Sequence, residues 1–181
     1  MKIGYKEIVN SFTKDELEET KILAHTAING RENCLQKVVE KIGLKGTNIV
    51  EIGTYRGISA AMFTSYFDKV YTFDIIEYPI RKLVFERMKV ENKVESYVLK
   101  SRAEIRGKLL ELKRTINFDS AFIDGAHNFW DAGKDFLICA EIGIKKFLFH
   151  DCSEKHEGML RLMKIFDAEI INDICGYLVL R

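Results

Sequence analysis

The sequence has 181 residues, about one domain's worth at roughly 100–200 residues per domain. Apolar types make up 47% and charged types 30%, with a single proline, which excludes disordered, collagenous and low-complexity chains. Lys plus Arg number 28 and Asp plus Glu 27, so the formal charge of +1 lacks the basic excess of a general nucleic-acid coat protein.

The opening Met1-Lys2-Ile3-Gly4-Tyr5 has no apolar run of a secretory signal, and no stretch nears the roughly 18 apolar residues of a membrane span. Cys34, Cys139, Cys152 and Cys175 form no CxxC pair, and three of them sit on apolar stretches, where a thiol behaves as a small hydrophobe. A reducing, cytoplasmic compartment is the expectation. Thr13-Lys14-Asp15-Glu16 reads as a capping box, followed by Leu17, Ala24, Ala27 and Ile28 at helical spacing until Asn29-Gly30. Leu35, Val38, Val39 and Ile42 mark a second helix that ends at Gly43.

From residue 45 the period changes. Asn48–Ile52 reads as a buried strand, Ser59–Tyr66 as a helix, Val70–Phe73 as a strand, and Pro79 as the first residue of a helix to about Val90. Val94–Leu99 is a strand, and Ser101-Arg102-Ala103-Glu104 is a second capping-box pattern before a helix. Phe118–Ile123, Asn128–Ala140, Lys146–Phe149 and Glu157–Phe166 continue as strand, helix, strand and helix. The β-rich stretches Ala168–Ile171 and Tyr177–Leu180 lie too close for a helical crossover, which forces one antiparallel strand. The alternation implies a single α/β domain over 1–181, with a mostly parallel, doubly wound sheet. N-terminal helices (1–44) would form part of the substrate side and residues 45–181 the ligand-binding core.

Ligands of such sheets bind beyond the carboxyl ends of the strands. The loop Glu51-Ile52-Gly53-Thr54-Tyr55-Arg56-Gly57-Ile58-Ser59 joins a strand to a helix there, and its spacing fits neither the dinucleotide fingerprint nor a Walker A loop. Asp74, at the end of the second strand, is a carboxylate placed to accept bonds from both hydroxyls of a ribose.

The segment EIGTYRGIS resembles motif I of the class I S-adenosylmethionine-dependent methyltransferases, closest to the catechol and caffeoyl-CoA O-methyltransferase type. The later Phe118-Asp119-Ser120-Ala121-Phe122-Ile123-Asp124-Gly125-Ala126-His127, with Asp135 and then Phe149-His150-Asp151, is similar to the signature of the macrocin-type sugar O-methyltransferases. The resemblance spans roughly residues 35 to 181 and implies a Rossmann-like fold and S-adenosylmethionine as cofactor. It places Gly53, Thr54, Tyr55, Gly57 and Ser59 around the methionine moiety, with Glu51 near its ammonium group. Asp74 falls at the ribose, Ser101 and Arg102 at the adenine, and Asp124 beside the cofactor.

The resemblance also implies His127 as the general base, because a hydroxyl attacks a sulfonium methyl poorly until its proton leaves. Asp124 and Asp151, after neighbouring strands, would share a divalent ion such as Mg²⁺. His150 stands beside them, and imidazole suits Zn²⁺, Fe²⁺ or Mn²⁺ better. The plainer reading makes Asp124 and Asp151 N-caps of the following helices, and His127 a structural hydrogen-bonding residue. The pair Phe129-Trp130 reads as a substrate wall or as packing, and nothing surrounds His25 or His156 in the sequence.

The leading expectation is O-methylation of a small-molecule hydroxyl by a homodimer, whose second subunit covers an otherwise open site. The alternatives are a macromolecular acceptor and a non-catalytic nucleoside-binding protein. A nucleic-acid acceptor is disfavoured because no N/D-P-P-Y/F/W tetrapeptide follows the fourth strand.

Overall fold

The structure, a computed structural model, describes residues 2–20, 34–172 and 174–181. Among the described residues three helices come first: α1 (Tyr5–Asn10), α2 (Lys14–Thr20) and α3 (Cys34–Lys41). The Thr13 capping box forms, with Thr13 N–H donating to the Glu16 carboxylate at 2.7 Å and Glu16 N–H to Thr13 Oγ1 at 3.3 Å. The Leu35–Ile42 spacing becomes α3, which buries Val38 and Val39. The expected helical positions Ala24, Ala27 and Ile28, the stop at Asn29-Gly30, and His25 lie outside the described residues.

Alternation follows: β1 (Gly46–Ile52), α4 (Ile58–Phe63), β2 (Phe67–Asp74), α5 (Pro79–Met88), β3 (Val94–Val98), α6 (Arg102–Leu112), β4 (Ser120–Ile123), α7 (Phe129–Glu141), β5 (Lys146–Phe149) and α8 (Glu157–Phe166). The hairpin-like pair β6 (Glu169–Ile171) and β7 (Cys175–Val179) comes last. The strands form one sheet in the order β3-β2-β1-β4-β5-β7-β6. Every pairing from β3 to β5 is parallel, and β7 runs against both β5 and β6. The reversed strand is thus the one the short tail connection demanded. Element ends moved by one to three residues, and the helix expected to reach Tyr66 stops at Phe63, because Phe67 already enters the sheet opposite Gly46.

Side chains alternate across the sheet and feed two apolar layers. Ile49, Val70, Phe122 and Leu148 face α3, α4 and α5, where Val38, Ala61 and Val84 meet them. Val50, Phe73, Ala121, Ile123, Phe147 and Phe149 face α6, α7 and α8, meeting Leu109, Phe136 and Leu162. β4 and the last four residues of β1 are buried throughout, the pattern of parallel strands covered on both faces. Strand order turns around between β1 and β4, so a crevice opens past their carboxyl ends. Among the described residues no helix is long and apolar enough to cross a membrane.

Candidate active site

A cleft of about 1040 Å³ opens at those carboxyl ends. The β1–α4 loop, Asp74, Arg102 and the turns after β4 and β5 line it, and Tyr5, Leu35 and Gln36 of the N-terminal helices close one side. The volume is at the upper end for a site holding one drug-sized ligand.

The loop is drawn tight by Gly53 N–H donating to Phe73 O and Gly57 N–H to Thr54 O, both at 2.8 Å. Gly53 sits at φ +99, and a Cβ there would lie 2.5 Å from the backbone of Asp124 and Gly125. Only a residue without a Cβ lets the turns after β1 and β4 come this close. Tyr55 takes φ +47, its N–H donating to Asp74 Oδ2 at 2.7 Å.

Asp74 lines the cleft as expected of a ribose partner, yet the protein already engages both of its oxygens. Oδ1 accepts from Ile75 N–H at 2.7 Å and Ile76 N–H at 3.1 Å; Oδ2 accepts from Tyr55 N–H and from Arg81 at 3.1 Å. Arg81, nearly buried, also donates to Tyr55 O and Ile76 O, tying the loop to the end of β2.

Glu51 lies behind the loop rather than in the cleft. Its carboxylate is fully buried, accepts from Ser59 Oγ at 2.5 Å and from the Thr72 hydroxyl, and Thr72 in turn pairs with Thr54 at 2.5 Å. Burial pushes its pKa up to about 7, against the pull of the two hydroxyl donors. The native chain therefore holds this proton more tightly than the unfolded one. Stability should fall as pH rises from about 4.5 toward about 7, by on the order of 3 kcal/mol. Glu51→Gln should flatten that slope, since Thr72 can turn its proton to Thr54; urea midpoints at several pH values check this, and parallel slopes would refute it.

Ser101 and Arg102 do not reach outward as free adenine partners. Ser101 caps α6 by accepting Glu104 N–H at 3.3 Å. Arg102 forks onto the buried Asp135 at 2.6 and 3.2 Å and reaches Asp131 at 3.1 Å, forming one wall of the cleft.

Asp124 and Asp151 cap no helix: Asn128 caps α7 through its side chain, and α8 begins at His156 with no side-chain capping bond. The N-cap reading fails because the helices start five and six residues beyond their Asp, at Phe129 and Glu157. Instead both carboxylates face imidazoles. Asp124 Oδ1 meets His150 Nδ1 at 3.1 Å and His127 Nε2 at 3.4 Å, while Asp151 Oδ2 meets His127 Nε2 at 3.2 Å. Burial works to raise Asp124, but the His150 charge and the two histidine bonds overcome it and hold the carboxyl at about 2. His127 is raised above the usual imidazole value, first by its bond to Asp124. His150 is raised well above it although burial opposes this, by the Asp124 charge.

Sequence reasoning assigned nothing to His156, yet it joins this group. Its ring lies 4.8 Å from that of His127, and its Nε2 lies 3.8 Å from Asp151 Oδ2. The signal was its place five residues after Asp151, legible only once the turn between them is known. Trp130, 72% exposed, does not line the cleft, and Phe129 packs under Arg161.

A magnesium ion at Asp124 and Asp151, as the family resemblance implied, fits this donor set poorly. Mg²⁺ takes oxygen ligands in strict octahedral geometry, whereas each carboxylate here is committed to imidazoles that crowd the same space.

No family profile matches the sequence, and no curated protein matches it significantly. Solved structures do. The O-methyltransferase TomG from Streptomyces achromogenes, involved in tomaymycin synthesis and solved in complex with SAM, has a TM-score of 0.70 at 16% identity, over 97% of this chain and 90% of its own. The Bacillus cereus O-methyltransferase in complex with SAH gives 0.67 at 15% identity, over 97% and 91%. MycE of the mycinamycin biosynthetic pathway, solved with Mg and SAH, gives 0.62 at 12% identity, and this chain spans only 55% of its length. With the strand order and the β1–α4 loop, these likenesses establish that the chain has the class I S-adenosylmethionine-dependent methyltransferase fold.

Proposed function

We propose that this chain transfers a methyl group from S-adenosylmethionine to a hydroxyl of a small molecule. The observation that carries the reading is one continuous cleft with the tight Gly53–Gly57 loop and Asp74 at one end and His127, partly open, at the other. When bound, the cofactor supplies a sulfonium methyl group for in-line transfer to an oxygen.

The protein's share is positioning and proton removal. Gly53, Thr54, Tyr55 and Gly57 shape the floor under the methionine part, with Glu51 stiffening that floor from beneath through Ser59 and Thr72. Asp74 faces the ribose, whose hydroxyls share or replace the bonds it now accepts. Arg102 and Ser101 border the adenine end, and Asp124 sets the turn that bears the base. His127 takes the acceptor's proton on Nδ1, with Asp124 and Asp151 stabilising through Nε2 the imidazolium that results.

Calorimetric titration with S-adenosylhomocysteine tests this first. Saturable one-to-one binding is expected, and the absence of any heat would overturn the assignment whatever the acceptor.

A further inference from the structure

We propose that His127, Asp151 and His156 form a binding site for a divalent transition ion of the zinc and cobalt class, one that a magnesium ion does not fill. The three donors come from two segments: His127 from the turn after β4, and Asp151 and His156 from the two ends of the connection between β5 and α8. They converge on one point. His127 Nε2 lies 3.2 Å and His156 Nε2 3.8 Å from the same oxygen, Asp151 Oδ2, and all three donor atoms fall within 4.8 Å of one another.

The donor separations match those around a bound ion. A tetrahedral ion with ligands at about 2.0–2.1 Å holds its donors roughly 3.3 Å apart. The Asp151–His127 separation already has that value, and the Asp151–His156 separation needs a small ring rotation. At 3.8 Å the latter is too long for a hydrogen bond, so hydrogen bonding to Asp151 does not explain why His156 points there. Nor does helix capping, since its side chain makes no cap bond.

The backbone enforces the approach. Asp151 adopts φ +54, Ser153 N–H donates to Asp151 O at 2.9 Å and His156 N–H to Ser153 O at 2.8 Å, which curls the turn back on itself. Gly158 then packs so close that a Cβ would lie 2.6 Å from Phe129 N, pressing the start of α8 against the start of α7 and bringing His156 to His127.

Two imidazoles and one carboxylate suit zinc, cobalt or ferrous ions, and three protein ligands leave a coordination position open to the cleft. All three side chains are about one-third exposed, so an ion can reach them. A second group, Asp124 and His150 with the other oxygen of Asp151, adjoins this one, and His127 Nε2 lies 3.4 Å from Asp124. An ion on His127 would bind the imidazole that the proposed reaction uses as proton acceptor. That consequence rests on the methyltransferase reading; the site itself does not.

The test is titration of the chelator-treated full chain with Co²⁺, followed by its visible absorption. The expected result is an intense low-coordination spectrum that saturates at one ion per chain, is displaced by Zn²⁺ and survives excess Mg²⁺. His156→Ala and His156→Gln should each weaken Co²⁺ binding at least about tenfold, while His150→Ala should change it less than about threefold. Circular dichroism and S-adenosylhomocysteine titration of each variant verify folding and keep failure of this site separate from failure of the cofactor assignment. A spectrum that never develops, or one abolished by His150→Ala and untouched by either His156 variant, would overturn the proposal.

Discussion

Replacing His127 by alanine, in chelator-treated protein, is expected to slow methyl transfer by roughly 10²–10⁴-fold, the usual worth of a positioned general base. Affinity for S-adenosylhomocysteine should stay within about threefold, because the side chain bonds to Asp124 and Asp151 rather than to the β1–α4 loop. The choice of His127 over its neighbours is geometric. His150 is the less exposed of the two, at 28% against 37%, and its Nδ1 is directed at the carboxylates of Asp124 and Asp151. His127 directs Nε2 at Asp124 and Asp151, so an imidazolium formed on that more exposed ring is stabilised from two sides. His127→Gln, which preserves a polar side chain without a base of suitable strength, should be nearly as slow as the alanine variant. Turnover near wild type in either would remove His127 from the chemistry.

Gly53→Ala should be as damaging by a different route. Gly53 has φ +99, where an L side chain is strained, and the added Cβ would lie 2.5 Å from the Asp124 carbonyl carbon. Backbone strain of about 1–3 kcal/mol and overpacking of about 1–3 kcal/mol together remove about 2–6 kcal/mol, a large share of a domain's total of roughly 5–15 kcal/mol. If the chain relaxes instead of unfolding, the turns after β1 and β4 must separate, and S-adenosylhomocysteine affinity falls with them. Gly107→Ala supplies the contrast. It lies at an exposed position of α6 with nothing within 4 Å of the new carbon, and should stabilise by about 0.5–1 kcal/mol. Thermal unfolding of the two variants side by side reads both signs; an unchanged melting temperature in Gly53→Ala would show that the close approach is not needed.

The period of the apolar residues carried most of the fold. Runs such as Asn48-Ile49-Val50-Glu51-Ile52 and Lys146-Phe147-Leu148-Phe149 can be buried on both faces only in a parallel sheet, and the five-residue gap before Tyr177 leaves no room for a crossover. The glycines of the first loop were legible because a tight strand-to-helix turn requires them. The site was less so. Glu51 reads as a ligand-facing acid by its place in the motif, but strand alternation turns it toward Ser59 and Thr72, away from the cleft. Arg102 follows a strand end, where ligands bind, and nothing local reveals that Asp135, a full helix away in sequence, takes both arms of its guanidinium. His156 was silent because its partners are set by a turn at Asp151 whose positive φ no neighbouring residue announces.

The placement of β7 has a consequence for how the polypeptide acquires its shape during synthesis. β7 lies between β5 and β6, so β6 pairs with β7 alone, and β5 keeps one unpaired rim until residues 175–179 arrive. The nascent chain can assemble β1 through β5 and their helices, but it must carry a bare, strongly apolar margin at Phe147, Leu148 and Phe149 until β7 has been made. That interval, rather than the finished molecule, is when edge-to-edge association between copies is most favoured.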